Sequence, residues 1–234
     1  MKRIVVLSGA GVSADSGLST FRDSDGLWEN YSVEEICTHE AIERDREKVI
    51  HFYDHIRYGI MNAKPNAGHL SLVDLEKCYD VQIITQNVDD LHERAGSKSV
   101  IHLHGEIMKL RSSINELATV DIKDVTDGYE QPLDLKHSDG SLLRPFIVFF
   151  GEGVPMFEDA VDMMQTADIV IIVGTSLAVY PAASLVRYVP SGVKIYIVDP
   201  GNPDMSHIIN PLEHIKKKGA EGLPELVRRL LSEV

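Results

Sequence analysis

The chain has 234 residues, 44% of them hydrophobic, which suits one sizeable domain or a large domain carrying a small one. Against 23 basic residues stand 36 acidic ones, a formal net charge of -13; this argues against nucleic acid as a partner, because that contact runs on clustered Lys and Arg neutralising phosphates. Only Cys37 and Cys78 are present, too few for a disulfide framework or a four-thiolate zinc site, so a reducing compartment is expected.

The N-terminus, MKRIVVLSGAGVSADSG, has the basic start and apolar stretch of a secretory signal, but the stretch breaks at Ser8-Gly9 and cleavage near Ala14 would discard a strand. It is read as the first strand of a sheet in a cytoplasmic protein. Further short apolar runs, rich in β-branched residues and with little alternation, cover 81–84, 100–103, 146–150, 169–173 and 193–198. Strands buried on both faces of a parallel sheet have this pattern. Helical patterns lie among them at 70–77, 155–165, 180–188 and 223–231. The expected fold class is α/β, a doubly wound Rossmann-like parallel sheet with a smaller, mainly helical lobe. No run approaches the ~20 apolar residues of a membrane span, and no membrane partner is expected.

Two segments break the rhythm. Residues 28–64 hold helices where a second strand would stand, and 107–143 is a polar connection with Gly128, Pro132 and Gly140 as turn residues. A compact domain rarely carries structureless loops of that length. The division expected is therefore a Rossmann-like domain from 1–30, 65–106 and 144–234, and a small lobe from 31–64 and 107–143, with ligands between the lobe and the strand ends.

Gly9-Ala10-Gly11-Val12-Ser13-Ala14 follows the first strand and matches G-x-G-x-x-G/A. Such glycines let the backbone turn tightly and approach a pyrophosphate, with the amides of the next helix's first turn facing the anion; a ligand-free strand-to-helix turn is the alternative. A standard dehydrogenase would show an acidic residue ending a second strand about 20 positions on, and the loop-like 20–28 lacks that strand. The run 85–92, TQNVDDLH, places Gln86, Asn87 and Asp89 at a strand's carboxyl end, where they either hydrogen-bond a ribose or carboxamide or, for Asp89 and Asp90, cap the following helix. The next strand delivers His102 and His104 to the same edge. Period-two alternation puts both on one face, so spacing does not separate them.

GAGVSADSGLSTFRDSDGLW, TQNVDDLHERAG, HLHGE, RPFIVFFGE and GTSLAVYPAA, in this order and at these intervals, resemble the sirtuins, NAD-dependent protein-lysine deacylases, over essentially the whole chain. The resemblance is to the bacterial branch with little beyond the catalytic core. It implies NAD as cofactor and acylated lysine in protein or peptide as substrate, the acyl group passing to ADP-ribose as nicotinamide leaves. His104 is then the general base for the ribose hydroxyls, as an imidazole with an unperturbed pKa near ~6.5 can be. Gln86, Asn87, Val88 and Asp89 hold the nicotinamide ribose and carboxamide, Asn87 also positioning water. Gly9, Ala10, Gly11, Ser13, Asp15, Thr20, Phe21, Arg22 and Trp28 belong to the cofactor loop, with the Phe21 ring covering the reacting ribose. Gly174, Thr175, Ser176, Val198, Asp199, Pro200 and Ala220 face the adenosine half. Val148, Phe149, Phe150, Gly151, Glu152 and Val179 flank a peptide that adds as a strand.

The chain departs from that pattern in three places. Most sirtuins carry two CxxC pairs between the His-Gly motif and the RPFIVFFGE segment; here Ser112 and Ser113 stand near the first, so no metal is expected. The branch that removes succinyl and malonyl groups has Tyr-x-x-Arg, whereas Tyr53 is followed by Ile56 and then Arg57, one residue and about 100° of helix further on. Arg57 is thus either a displaced acyl-carboxylate ligand or an outward-facing helix residue. Third, the usual Asn-x-Glu of the adenosine segment is Val198-Asp199-Pro200. The leading reading is a deacetylase, with desuccinylase or demalonylase activity resting on Arg57, acting as a monomer. NAD hydrolysis or protein ADP-ribosyl transfer, motivated by the missing cysteines, and a non-catalytic NAD- or ADP-ribose-binding module are the alternatives.

Overall fold

Six parallel strands carry the molecule in the computed structural model, which describes residues 1–19 and 31–234. In chain order the elements are β1 (Arg3–Ser8), α1 (Val33–Ile36), α2 (His39–Arg44), α3 (Arg46–Asn62), α4 (Ala67–Leu75), β2 (Asp80–Thr85), α5 (Leu91–Ala95) and β3 (Val100–His102). There follow β4 (Gly105–Ser112), β5 (Thr119–Asp121), β6 (Leu143–Ile147), α6 (Phe157–Gln165), β7 (Ile169–Val173), β8 (Lys194–Val198), β9 (Leu212–Ile215) and α7 (Gly219–Ser232). The main sheet has the order β3-β2-β1-β7-β8-β9. The chain runs outward from β1 to β3, then returns to the other side of β1 with β7, so the order reverses between β1 and β7. Open parallel sheets bind ligands at the carboxyl ends on either side of such a reversal.

Both faces of the sheet are covered, which is why its strands read as unbroken apolar runs. Ile4 and Val6 of β1 join Leu72 and Leu75 of α4 and Leu223, Leu226 and Leu230 of α7 in one cluster. Val5 and Leu7 join Ala160 and Met164 of α6 and Leu185 and Val186 on the other face. The segment read as a helix over 180–188 is a 3-10 helix, Ala182–Tyr188.

The small lobe combines α1–α3 with a three-stranded antiparallel sheet in the order β5-β4-β6. The apolar run 146–150, read as a strand of the parallel sheet, supplies only the end of β6, which pairs with β4 in this second sheet. A continuous apolar run reports cover on both faces and not which sheet a strand joins. β4 and β5 lie inside the segment read as a polar connection, and β9 is a further strand unmarked by a long apolar run. Ile36, Val49, Phe52 and Tyr53 of the helices pack on Ile107, Ile147 and Phe149.

Polar stitching supplements that core. Wholly buried Arg57 pairs with Asp54 and donates to the carbonyls of Ile107 at 2.8 Å and Tyr129 at 2.6 Å, while Asp54 also accepts the amide of Gln131. Near where the family's first cysteine pair would fall, Ser112 donates to Asp139 at 2.7 Å, lies 2.9 Å from the Ser141 hydroxyl and accepts the amides of Ile114 and Asn115. These serine bonds hold the Asp139 carboxyl well below the ordinary carboxylate range. Among the described residues no group of three or more His, Cys, Asp or Glu side chains is arranged to hold a metal.

Ser112→Ala leaves those two amides and Asp139 without a shared partner, and the expected cost is about 1–3 kcal/mol. Chemical denaturation of the two proteins at neutral pH measures it. Because the Asp139 carboxyl is depressed by bonds that include Ser112, its stabilisation is present above the ordinary carboxylate pKa and fades as pH falls through and below it. The difference between wild type and variant therefore shrinks on acidification.

Candidate active site at the strand ends

The loops after β1, β2 and β7 meet at the carboxyl edge of the sheet. Gly9 and Gly11 lie against Gly174: a Cβ on Gly11 would stand 2.6 Å from the Cα of Gly174, and one on Gly174, where φ is +61°, would stand 2.3 Å from the amide of Val12. The Gly11 amide donates to the Gly174 carbonyl at 2.9 Å, and Gly174 donates in turn to Val198 at 3.1 Å. This corrects one expectation. The turn after β1 is two short 3-10 helices, Ala10–Val12 and Ala14–Ser16, and the amides of Gly9, Gly11, Val12 and Ser13 all donate to protein carbonyls. They do not form the anion-facing first turn of an α-helix.

The 86–89 loop hangs from this junction. Gln86 donates from its side chain to the Thr175 hydroxyl at 3.1 Å, tying the β2 loop to the β7 loop. Buried Asn87 donates to the Gly9 carbonyl at 3.2 Å and to Ser13 Oγ at 3.3 Å. Asp89, also buried, accepts from Ser13 Oγ at 2.9 Å and from the amide of Leu91 at 3.1 Å. One oxygen of Asp89 thus holds the start of α5 and the other ties it to the β1 loop. Burial raises its pKa, and the Leu91 and Ser13 bonds oppose that. Val88 receives the amide of Ile107 on its carbonyl.

The same loop distinguishes the two histidines. A carbonyl oxygen only accepts, so the contacts of His102 Nδ1 with Asn87 O and of His104 Nδ1 with Gln86 O, each 3.0 Å, require a proton on both Nδ1 atoms. His102 Nε2 lies 2.7 Å from Glu93 Oε1, a carboxylate that demands a second proton. Burial disfavours that charge, but Glu93 outweighs it and His102 is raised above its ordinary pKa. On His104 the balance is reversed: burial lowers its pKa and only the Gln86 carbonyl opposes. It is therefore neutral near pH ~7, with the lone pair on Nε2. The glycine that follows it is required, because φ at Gly105 is +90° and a Cβ there would lie 2.0 Å from the Phe146 carbonyl oxygen.

Four buried residues not singled out in the sequence join this network: Ser8, His69, Thr85 and His92. The His69 and His92 rings meet edge-on at 4.9 Å, and burial lowers their pKa values to about 4 and about 3, leaving both uncharged. Their signal was weak, a polar residue ending an apolar strand or lying within an amphipathic helix, which usually marks a surface.

On the far wall, Val148 donates to the His104 carbonyl at 2.9 Å and Phe150 to that of Cys37 at 2.9 Å, so 148–150 runs beside the base. Phe149 is buried between the Arg144 guanidinium, 4.3 Å from its centroid, and the Tyr53 ring at 5.9 Å. Glu152, beyond Gly151, accepts from Arg144 and from the Phe149 amide. Phe150 and Val179 are 48% and 42% exposed. Tyr53 places its hydroxyl 3.1 Å from Cys37 Sγ. Arg57 is not brought to it; the extra residue of helix turns the guanidinium to Asp54 and the lobe interior, so it is neither a cleft residue nor on the exposed face.

Thr175, Ser176 and buried Val198 stand at the ends of β7 and β8. Asp199 accepts the Gly201 amide at 2.7 Å, Pro200 is exposed, and Ala220 lies in the first turn of α7 beside Gly219, whose Cβ would pack 3.2 Å from Val12. Asp15 pairs with Lys218 at 3.2 Å, closing that side. Thr20, Phe21, Arg22 and Trp28 lie outside the described residues.

A sequence profile described as the Sir2 family matches residues 9–181, which include these loops except the β8 end and the start of α7. The chain is 49% identical over 232 residues to an NAD-dependent protein deacylase of Bacteroides thetaiotaomicron, covering 99% of each. It is 52% identical over 200 residues to one of Aggregatibacter actinomycetemcomitans, covering 86% of this chain and 93% of that one. A Sir2 homologue solved in complex with NAD superposes with a TM-score of 0.85 at 38% identity, over 99% of this chain and 90% of that one.

The His102–Glu93 pair sets a pH signature. His102, raised, contributes stability that is full below the ordinary imidazole pKa and is lost as pH rises through its folded value; Glu93, lowered against burial by His102, contributes above the ordinary carboxylate pKa. Glu93→Gln is therefore expected to lower the melting temperature more at about pH 6 than at about pH 9. Scanning calorimetry across that range checks it.

Proposed function

On the premise that the chain belongs to the Sir2 family and is an NAD-dependent protein deacylase, we propose the residue roles that perform the reaction in its cleft. The observation that carries the reading is the state of His104: neutral, its Nδ1 proton committed to Gln86, its Nε2 lone pair directed away from that bond. A neutral imidazole of fixed tautomer is what a general base near neutral pH requires.

The donor set at the crevice fits NAD. Amides from Gln86 and Asn87, the carboxylate of Asp89 and the imidazole of His104 converge at one strand edge, a match for a ligand bearing a carboxamide and ribose hydroxyls. NAD, when bound, supplies an electrophilic ribose carbon that nicotinamide leaves and an ADP-ribose that accepts the acyl group. His104 Nε2 takes the proton of a ribose hydroxyl. Asp89, held by Ser13 and Leu91, accepts the carboxamide N–H, and Asn87 orients the ribose and a water. Asp199, beyond Gly174, Thr175 and Ser176, would accept an adenosine ribose hydroxyl. The substrate is a protein, entering as an added strand between 148–152 and Val179 so that main-chain pairing carries the affinity.

We read the acyl group as neutral. Tyr53 belongs to an apolar cluster with Phe149, Ile56, Val88 and Met108, and the Arg57 guanidinium bonds Asp54 and two carbonyls, its Nη2 being left without a partner. The buried guanidinium groups of Arg57 and Arg144 nearby are each paired with a carboxylate of the protein, so a second carboxylate on the acyl chain would compete for them. Two free thiols, Cys37 and Cys78, suit a reducing cytoplasm, and the net charge of -13 favours a monomer.

Incubation with NAD and acetylated, longer-chain and succinylated peptides tests this. Nicotinamide release dependent on peptide, fast for neutral acyl groups and at least about tenfold slower for succinyl, is expected, and His104→Ala should cost about 10²–10⁴ in kcat. The acidic limb of kcat/KM should fall below the ordinary imidazole pKa, because burial lowers His104. Equal nicotinamide release without peptide contradicts the deacylase reading.

A further inference from the structure

His92 has no part in the roles above, yet it is wholly buried directly beneath them. Its Nε2 lies 3.0 Å from Ser8 Oγ, at the carboxyl end of β1. Ser8 gives its single hydroxyl proton to Thr85 Oγ1 at 2.9 Å, so the serine oxygen must accept from His92, and His92 Nε2 carries the proton. Its Nδ1 is then an acceptor, and that atom is buried without a hydrogen-bond partner. A phenyl ring would occupy the site without that orphan. What it would lose is the one bond to Ser8.

That bond leads to the base. Thr85 Oγ1 accepts the backbone amide of Asn87 at 3.0 Å. The amide N–H of Asn87 and the carbonyl of Gln86 are the two ends of one planar peptide group and point in opposite directions. The carbonyl end accepts Nδ1–H of His104 at 3.0 Å. Holding the N–H end on Thr85 therefore aims the Gln86 carbonyl at His104 and keeps its proton on Nδ1 and its lone pair on Nε2. The next peptide is held too, since Asn87 O accepts from His102.

We infer that His92 is a positioning residue: through Ser8, Thr85 and the Gln86–Asn87 peptide plane it sets the tautomer of His104. The effect on turnover rests on His104 being the base, as proposed above; the effect on its tautomer does not.

The test uses the whole chain and three variants. Thr85→Val keeps the shape of the side chain and removes the acceptor, His92→Phe removes the donor, and His92→Gln retains an N–H near the position of Nε2. Nitrogen-15 NMR of the histidine rings reads the tautomer directly. In wild type His104 is expected as Nδ1–H; in Thr85→Val and His92→Phe both tautomers should appear, kcat should fall about tenfold and KM for the acyl peptide should stay within about twofold, as loss of one buried hydrogen bond predicts. His92→Gln should recover most of both. If His92→Phe does not fold, Thr85→Val decides alone. An unchanged His104 tautomer in folded Thr85→Val overturns the inference, as does a His92→Gln variant no better than His92→Phe. Wild type that fails to deacylate while the tautomer responds as expected would sink the proposed base and leave the positioning chain standing.

Discussion

The contact on which the rest depends is backbone against backbone: Gly9 and Gly11 packed on Gly174, with no room for a Cβ on any of them. It closes the gap between β1 and β7, the adjacent strands between which the order of the parallel sheet reverses, and brings the loops after both to within hydrogen-bond reach. Gln86 and Asn87 then anchor the β2 loop to the same junction, one on Thr175 and the other on Gly9. Three loops from distant parts of the chain become one rim. In doing so the amides of Gly9, Gly11, Val12 and Ser13 are taken up by the protein's own carbonyls.

From that rim, polarity is distributed by carbonyl oxygens. Because they cannot donate, Gln86 O and Asn87 O dictate where the protons of His104 and His102 sit. Glu93 then makes His102 a charged, committed partner, while burial without a carboxylate leaves His104 neutral. Two histidines at a spacing of two, equivalent by strand geometry, acquire opposite states through their second neighbours. Stabilisation and chemistry are separated within three residues of chain, His102 to His104.

Much of this was legible in the sequence, and the reasons it stopped are physical. Five of the six strands of the main sheet, all but β9, announced themselves because both faces are covered, and the polar ends of β1, β2 and β7 marked the crevice. Sheet membership was not legible: 146–150 is as apolar as 169–173, yet its strand lies in the small sheet, since pairing depends on contacts far away in sequence. Ser8, Thr85, His69 and His92 were invisible as a group for the same reason, each ordinary where it stands and informative only once β1, β2, α4 and α5 are brought together. Arg57 shows how a single residue of register matters. Its side chain is turned into the lobe, where with Asp54 it holds α3 to the 129–131 loop and β4 in a segment that has no metal-ligand cysteines.

If the glycine junction shapes the cleft that takes NAD, calorimetric titration of NAD into wild type and Gly11→Ala will show it. Wild type should bind saturably, and the variant, while still unfolding cooperatively, should bind about tenfold more weakly or worse, because the added methyl must push the β7 loop away. Equal affinity in the two proteins would contradict the account.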